Sequence, residues 1–172
     1  PGLEHHPLAS VLTRRVAFLP SVAGPASQSV KMNQSEACIV ARLADAVYRQ
    51  YTALGDFSPQ TTLGVITPYR SQIALIRKEI EALGIAELDG ILVDTVERFQ
   101  GSERDVIIYS FCVNRPYQLK FLANLTEDNG VLVDRKLNVA LTRARKQMFI
   151  VGVPELLELN PIYADLLRFC KN

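Results

Sequence analysis

Three short segments combine residue types that could handle a phosphate or a nucleobase. Thr67-Pro68-Tyr69-Arg70-Ser71-Gln72 follows an apolar run, with Thr67 and Tyr69 suited to a phosphate contact or to stacking on a base. A proline-set turn into a helix, with Ser71 near its cap, explains the same residues. The second segment runs from Asp94 to Asp105 and joins two apolar runs through a tight polar turn around Gly101. Backbone N–H groups in such a turn can approach a phosphate closely. Glu103 could accept hydrogen bonds from a ribose hydroxyl, while a surface loop of self-paired charges fits the composition equally well. The third segment spans Asp134 to Lys146. At ~100° per residue, Leu137, Ala140, Leu141 and Ala144 share one face, with Arg143 on one flank and Arg145 on the other. The two arginines should then serve different partners, and one beside a buried face can reach a phosphate across a cleft. A core helix with solvated basic flanks remains an equal alternative.

The elements that must position these segments follow from periodicity and punctuation. Arg15 to Pro20 suits one short strand, whereas residues 1–30 are otherwise the least readable part. Asn33-Gln34-Ser35-Glu36 fits an N-cap followed by its capping-box Glu. Ala37, Val40, Ala41, Ala44, Val47, Tyr48 and Tyr51 then recur at helical spacing up to Gly55. Leu63 to Thr67 is a buried strand ended by Pro68, and Ile73, Ile76, Ile80 and Leu83 mark a helix stopped at Gly84. Residues 91–93 and 106–109 are further strands, and residues 113–133 form an irregular excursion. A helix from Asp134 to Lys146, a strand over 148–151 and a helical tail over 156–169 complete the chain. Strands that are apolar throughout, separated by helices, indicate a parallel sheet covered on both faces. The expected fold class is α/β, three-layer. In such sheets ligands bind outside the carboxyl ends of the strands.

Composition bounds the rest. The 172 residues carry 19 Lys+Arg against 18 Asp+Glu and are 48% hydrophobic. These values suit one globular domain and argue against a disordered or fibrous chain. No apolar run reaches the ~20 residues of a membrane span. No signal-peptide core is present either, so an intracellular, cytoplasmic protein is expected. Cys38, Cys112 and Cys170 are widely spaced, which makes a disulfide framework or a zinc site unexpected. The chain starts at Pro1 rather than Met, and is therefore expected to be a piece of something longer. None of its nine glycines is followed by Lys, which excludes G-x-x-x-x-G-K-[ST] from this sequence. No Asp-Glu pair follows an apolar run.

Taken together, ITPYRSQ, VDTVERFQGSERDVIIYS and LNVALTRAR resemble the later motifs of superfamily 1 helicases. The group that includes the nonsense-mediated-decay helicase and senataxin is the nearest in pattern, and Asn33-x-x-Glu36-Ala37 matches it too. The resemblance runs from about Lys31 to Asn172. It implies a RecA-like fold, with residues 1–172 forming the second of two motor domains that sandwich ATP and move along single-stranded nucleic acid. The phosphate-binding loop and the magnesium-binding acidic pair would lie on a first, N-terminal RecA-like domain of the same polypeptide. ATP with Mg2+ would be held mainly there, leaving no metal site in this chain. By position, Arg143 resembles the arginine finger that reaches the γ-phosphate. Gly101 and Glu103 match positions near the γ-phosphate and the ribose, with Gln100 coupling the two sites and Arg145 on the nucleotide side as well. Thr95 matches a contact to the nucleic-acid backbone, and Thr67 with Tyr69 would line the same track. Ser102 stands where many relatives have Arg, and the Gln-Tyr-Arg motif of the family has no match.

Such a fragment is expected to be inactive alone. The alternative is a non-catalytic α/β module that binds nucleic acid or a protein through residues 113–133 or the Arg135–Lys146 face. A small-molecule enzyme has little support, because His5 and His6 offer no acid–base constellation. A nuclear location and the choice between DNA and RNA stay open.

Overall fold

The computed structural model describes residues 8–122, 125–128 and 131–171. In chain order these form α1 (Ala9–Leu12), β1 (Val16–Pro20), α2 (Gln34–Ala53), β2 (Leu63–Ile66), α3 (Arg70–Glu81) and α4 (Ala86–Asp89). Next come β3 (Leu92–Asp94), a 3-10 turn (Val96–Phe99), β4 (Arg104–Ser110), α5 (Gln118–Leu122), β5 (Leu125–Asp128) and β6 (Val131–Asp134). The chain continues through α6 (Arg135–Arg143), β7 (Ala144–Gly152), α7 (Pro154–Leu157) and α8 (Pro161–Lys171). Strands β1, β7, β4, β2 and β3 lie side by side in that order, all parallel, and β5 with β6 makes a separate antiparallel pair.

Both faces of the five-stranded sheet are buried, which is why its strands are apolar without alternation. Val106 and Ile108 of β4 face a core that they share with α2 and α3, including Val40, Ala44 and Ile76. Their neighbours Ile107 and Tyr109 face the opposite core, with Leu137 and Ala140 of α6 and Tyr163 and Leu167 of α8. This is the three-layer, RecA-like α/β arrangement. Gly64 sits in β2 because a Cβ there would lie 2.5 Å from the Phe99 ring.

Three expectations are corrected. The basic helix ends at Arg143, and Ala144, Arg145 and Lys146 already belong to β7. Pairing of Ala144 with Arg104 on β4 pulls those residues into the sheet, so the helical-wheel placement of Arg145 does not hold. Residues 113–133 contain a short helix and a hairpin besides loop, although residues 123, 124, 129 and 130 lie outside the described residues. The tail is two helices, broken where Asn160 precedes Pro161.

The capping box is half formed. Asn33 Oδ1 accepts from the Glu36 amide at 2.8 Å, as an N-cap should. Glu36 does not reach back, because Gln72 Oε1 already accepts the Asn33 amide at 2.8 Å. Its carboxylate instead accepts from the Ser110 hydroxyl (2.9 Å) and the Cys112 amide (3.0 Å), so a helix-start residue anchors the exit of β4. Cys112 is the one described non-glycine residue with positive φ, at 54°. That conformation costs about 1–3 kcal/mol, and the bond to Glu36 helps to hold it.

Candidate functional site

The three segments do not converge on one end of the sheet. Thr67 and Thr95 follow β2 and β3 directly and therefore lie at the carboxyl edge. Gly101, Ser102 and Glu103 precede β4, and Arg143 precedes β7, which puts them together at the amino edge. The link is the 3-10 turn Val96–Phe99, which carries the chain from one edge to the other in nine residues. Only the first segment and the start of the second therefore lie at the carboxyl edge, where ligand binding was expected for all three.

At the carboxyl edge, Ile66, Thr67, Pro68, Thr95, Val96, Glu97, Tyr109 and Lys136 line a small recess of about 40 Å3 that opens to solvent. The Thr67 amide bonds to Asp94 O at 3.2 Å and so ties the ends of β2 and β3 together. Its Oγ1 is buried and has no hydrogen-bond partner. Lys136 Nζ stands 3.4 Å from Glu97 Oε1. Burial pushes the Glu97 carboxyl up, but its own backbone amide, the Thr95 hydroxyl and Lys136 together hold it below the usual range. Glu97 and Lys136 were not singled out from the sequence, since 39 residues separate them and neither spacing nor type pairs them.

Behind this edge lies a buried polar network. Gln72 Nε2 donates to Asn33 O (3.0 Å) and to Ser110 Oγ (3.4 Å). Asn33 Nδ2 donates to Asn114 Oδ1 at 2.7 Å, and Gln118 Nε2 donates to the Tyr69 hydroxyl at 3.1 Å. Tyr69, half-buried, is thus fixed through its phenol while its ring stays at the surface, with Lys31 Nζ 6.0 Å from the ring centroid. Buried Glu36 has its carboxyl pushed up to about 7, by burial first, against the bonds from Cys112 and Ser110.

At the amino edge, Gly101 has φ of +72° and nothing within 4 Å of where a Cβ would stand, so conformation rather than space demands glycine. Glu103 and Gln100 are exposed. Arg104, unremarked in the sequence, folds its Nη1 onto Ser102 Oγ (2.6 Å) and Glu103 O (3.0 Å), with its guanidinium 5.6 Å from the Phe99 ring centroid. Burial, and after it the Arg145 charge, pulls Arg104 below the usual arginine range. The Nε atoms of Arg104 and Arg143 are both buried and without a hydrogen-bond partner. Arg145 differs: its Nε meets Asp105 at 2.9 Å and its Nη2 meets Thr61 O at 2.9 Å. Among the described residues no carboxylate lies within ion-pair distance of Arg104 or Arg143.

This edge can receive an anion. Two guanidinium groups whose buried Nε donors have no partner, beside the open turn at Gly101, offer charge and hydrogen bonds that the chain itself leaves uncompensated. Among the described residues no group of three His, Cys, Asp or Glu side chains could hold a metal ion, and no helix is long and apolar enough to cross a membrane.

A family model described as an AAA domain matches residues 13–155. Regulator of nonsense transcripts 1 of Dictyostelium discoideum is 35% identical over 136 residues, 77% of this chain and 9% of that protein. Helicase SEN1 of Saccharomyces cerevisiae is 30% identical over 162 residues, 90% of this chain and 7% of that protein. DNA polymerase alpha-associated DNA helicase A of the same yeast is 38% identical over 101 residues, 58% of this chain and 13% of that protein. The chain thus spans 7% to 13% of the length of these three relatives.

Proposed function

Because the chain belongs to the AAA domain family matched over residues 13–155, we propose that it is the second RecA-like motor domain of an ATP-dependent helicase or translocase. The observation that carries this reading is the division of polar groups between the two edges of one sheet, with Arg143 unpaired at the amino edge. ATP is the substrate, and Arg143 is the finger that reaches its γ-phosphate from this domain. Gly101 and Glu103 contact the γ-phosphate side and the ribose, with Gln100 beside them. Arg145, anchored on Asp105, contributes its charge to the nucleotide edge rather than a direct contact. Magnesium and the phosphate-binding loop belong to a first motor domain of the same polypeptide. The donors that Arg143 and Arg104 leave unused fit a polyphosphate better than a neutral ligand.

The carboxyl edge is the half-track for single-stranded nucleic acid. Thr67 and Thr95 contact the backbone, and Tyr69 stacks on a base, its ring held by the bond from Gln118. Nucleotide spanning the two motor domains favours a closed arrangement and its hydrolysis releases it, so grip on the strand alternates by population shift. In this reading the protein works inside the cell, and residues 1–172 alone do not hydrolyse ATP.

The test is ATP hydrolysis by the native polypeptide that contains this chain, with and without single-stranded nucleic acid. Arg143→Ala is expected to lower strand-stimulated turnover by about 10³–10⁵, the range measured for arginine fingers. Turnover near the wild-type rate would remove Arg143 from the chemistry. No turnover from a polypeptide long enough for two motor domains would favour the non-catalytic binding module.

A further inference from the structure

Beside Tyr69 lies a surface whose charge is unlike that of the chain as a whole. Three segments build it: residues 21–34, residues 67–72 and residues 113–122. They contain Lys31, Arg70, Arg115 and Lys120 and not one Asp or Glu, in a chain whose 18 acidic residues nearly balance its 19 basic ones. Hydrogen bonds knit the segments into one body. Gln118 Nε2 donates to Val30 O (2.9 Å) as well as to the Tyr69 hydroxyl, and Asn114 Nδ2 donates to Val30 O (2.8 Å) and Met32 O (2.9 Å). Arg115 Nη1 donates to Gly24 O at 3.1 Å.

On this body α5 turns Gln118 and Leu119 inward, while its Lys120 and Phe121, and Tyr117 just before it, are exposed. Gln118 and Leu119 are buried, whereas Phe121 is 80% and Tyr117 52% exposed. Tyr117 immediately precedes α5 and Phe121 lies within it four residues on, with exposed Lys120 between them in sequence. Bare aromatic faces at the surface carry a cost in water that a soluble partner must offset. Rings interleaved with cations, in segments that contain no Asp or Glu, offer an anionic chain both apolar faces to stack on and charge to neutralise. For stacked bases joined by phosphates they match in both respects.

We propose that Tyr117, Lys120 and Phe121, with Lys31, form a stacking platform that carries single-stranded nucleic acid beyond Tyr69, outside the Thr67–Thr95 track. The proposal rests on the reading of the carboxyl edge as a nucleic-acid track and adds a surface to it. Tyr117 and Phe121 each stack on a base, and Lys120 and Lys31 neutralise flanking phosphates.

The test uses the native polypeptide that contains this chain, with a labelled oligodeoxythymidine and a labelled oligouridine, and reads anisotropy over a salt series. Tyr117→Ala and Phe121→Ala are each expected to weaken binding roughly 5- to 150-fold, the value of one stacked base, without changing the salt slope. Lys120→Gln is expected to lower the slope of log affinity against log salt by about one phosphate contact. Phe121→Trp should bind like the wild type. If the two alanine variants bind normally while Thr95→Ala binds weakly, the platform is overturned and the track stands. If all three bind normally, the track falls with it. A lower melting temperature with intact strand affinity would also overturn the proposal, by assigning the rings to an interface between domains. Should Tyr117→Ala fail to fold, Lys120→Gln and the Phe121 variants still decide.

Discussion

The two edges of the sheet solve opposite problems with the same backbone. At the carboxyl edge Asn33, Gln72, Ser110, Asn114 and Gln118 close a network that ends on the Tyr69 phenol, and the buried atoms left without a partner, Ser21 Oγ, Glu36 Oε2 and Thr67 Oγ1, carry no positive charge. At the amino edge the buried Nε donors of Arg104 and Arg143 are unengaged, and they are positively charged. A satisfied network makes a rigid surface, suited to holding a chain by shape and stacking. Unsatisfied cations make a surface that is completed by an anion arriving from elsewhere. Position in a parallel sheet does not by itself distinguish the two edges; the charge of the groups left without a partner does.

The largest effect that could break this contrast lies at Arg143 and Thr95. Under the proposed division, Arg143→Ala lowers hydrolysis by about 10³–10⁵ and leaves strand affinity measured without nucleotide near that of the wild type. Thr95→Ala should instead raise the strand concentration needed for half-maximal stimulation by about fivefold, the worth of one hydrogen bond near 1 kcal/mol. Titrating strand into both variants and recording turnover checks this. Equal effects of the two variants on both readouts would mean that the edges are not separate.

Next in size is a pH effect specific to the carboxyl edge. Glu36 is pushed up to about 7 from an ordinary carboxyl value near 4.5, burial being the main cause. The folded state therefore holds a proton that the unfolded state has released between those values, and stability falls as pH rises through that window. The difference amounts to about 3 kcal/mol, at roughly 1.4 kcal/mol per pH unit. The groups facing Glu36 do not cancel it, since Ser110 is neutral and the Cys112 thiol is itself pushed up by burial and by Glu36. Glu36→Gln keeps both accepted hydrogen bonds and removes the titration. Urea unfolding at pH 5 and pH 8 should show the wild type losing stability between them and the variant losing little; parallel losses would contradict the assignment.

What the sequence made legible was set by how local each signal is. Helix α2 was readable because Asn33 caps it and apolar residues repeat along it for five turns, and the strands because burial on both faces makes them apolar throughout. The end of α6 was misread because Leu141-Thr142-Arg143-Ala144-Arg145 has good helix propensity, and only pairing with β4 converts its last two residues to strand. Glu36 was read as a capping residue for a related reason: its competing partners, Ser110 and Cys112, lie more than 70 positions away. The candidate site residues were found through motif resemblance, but their partition between two edges required the path of the 3-10 turn. Arg104 was missed because an arginine at the start of a strand reads as solvated until its burial is seen.

Phe99 in that turn is the physical joint between the edges, and Gly64 is the residue that makes room for it. A Cβ at position 64 would lie 2.5 Å from the ring and 3.1 Å from Arg104 Cγ, and both neighbours are buried in the sheet's own packing. Gly64→Ala is expected to destabilise the domain by about 1–3 kcal/mol through overpacking, read as a lower denaturant midpoint at unchanged slope. A shift of Phe99 would also disturb Arg104 and the turn leading to Gly101. Nucleotide-edge and strand-edge functions should therefore decline together in this variant, unlike in Arg143→Ala. Stability equal to the wild type would mean that the joint is looser than its packing implies.

The smallest expected effect distinguishes the two arginines that the sequence set on one helix. Arg145 is 42% exposed at its side chain and shares Asp105 with Lys146, whose Nζ stands 3.6 Å away. Half-exposed pairs of this kind contribute roughly 0–1 kcal/mol. Arg145→Lys should thus change the unfolding free energy by less than about 1 kcal/mol, because Lys146 remains beside Asp105. Its effect on ATP turnover should be small for the same reason: the guanidinium is already held by Asp105 and Thr61 O through Nε and Nη2. The matched variant Arg143→Lys loses the planar fork at a position where Nε has no partner in the chain, so it should fall well below Arg145→Lys in turnover. Measuring both lysine variants side by side is the sharpest form of the comparison. If Arg145→Lys proves the more damaging, the nucleotide contact lies on the strand and not at the end of the helix.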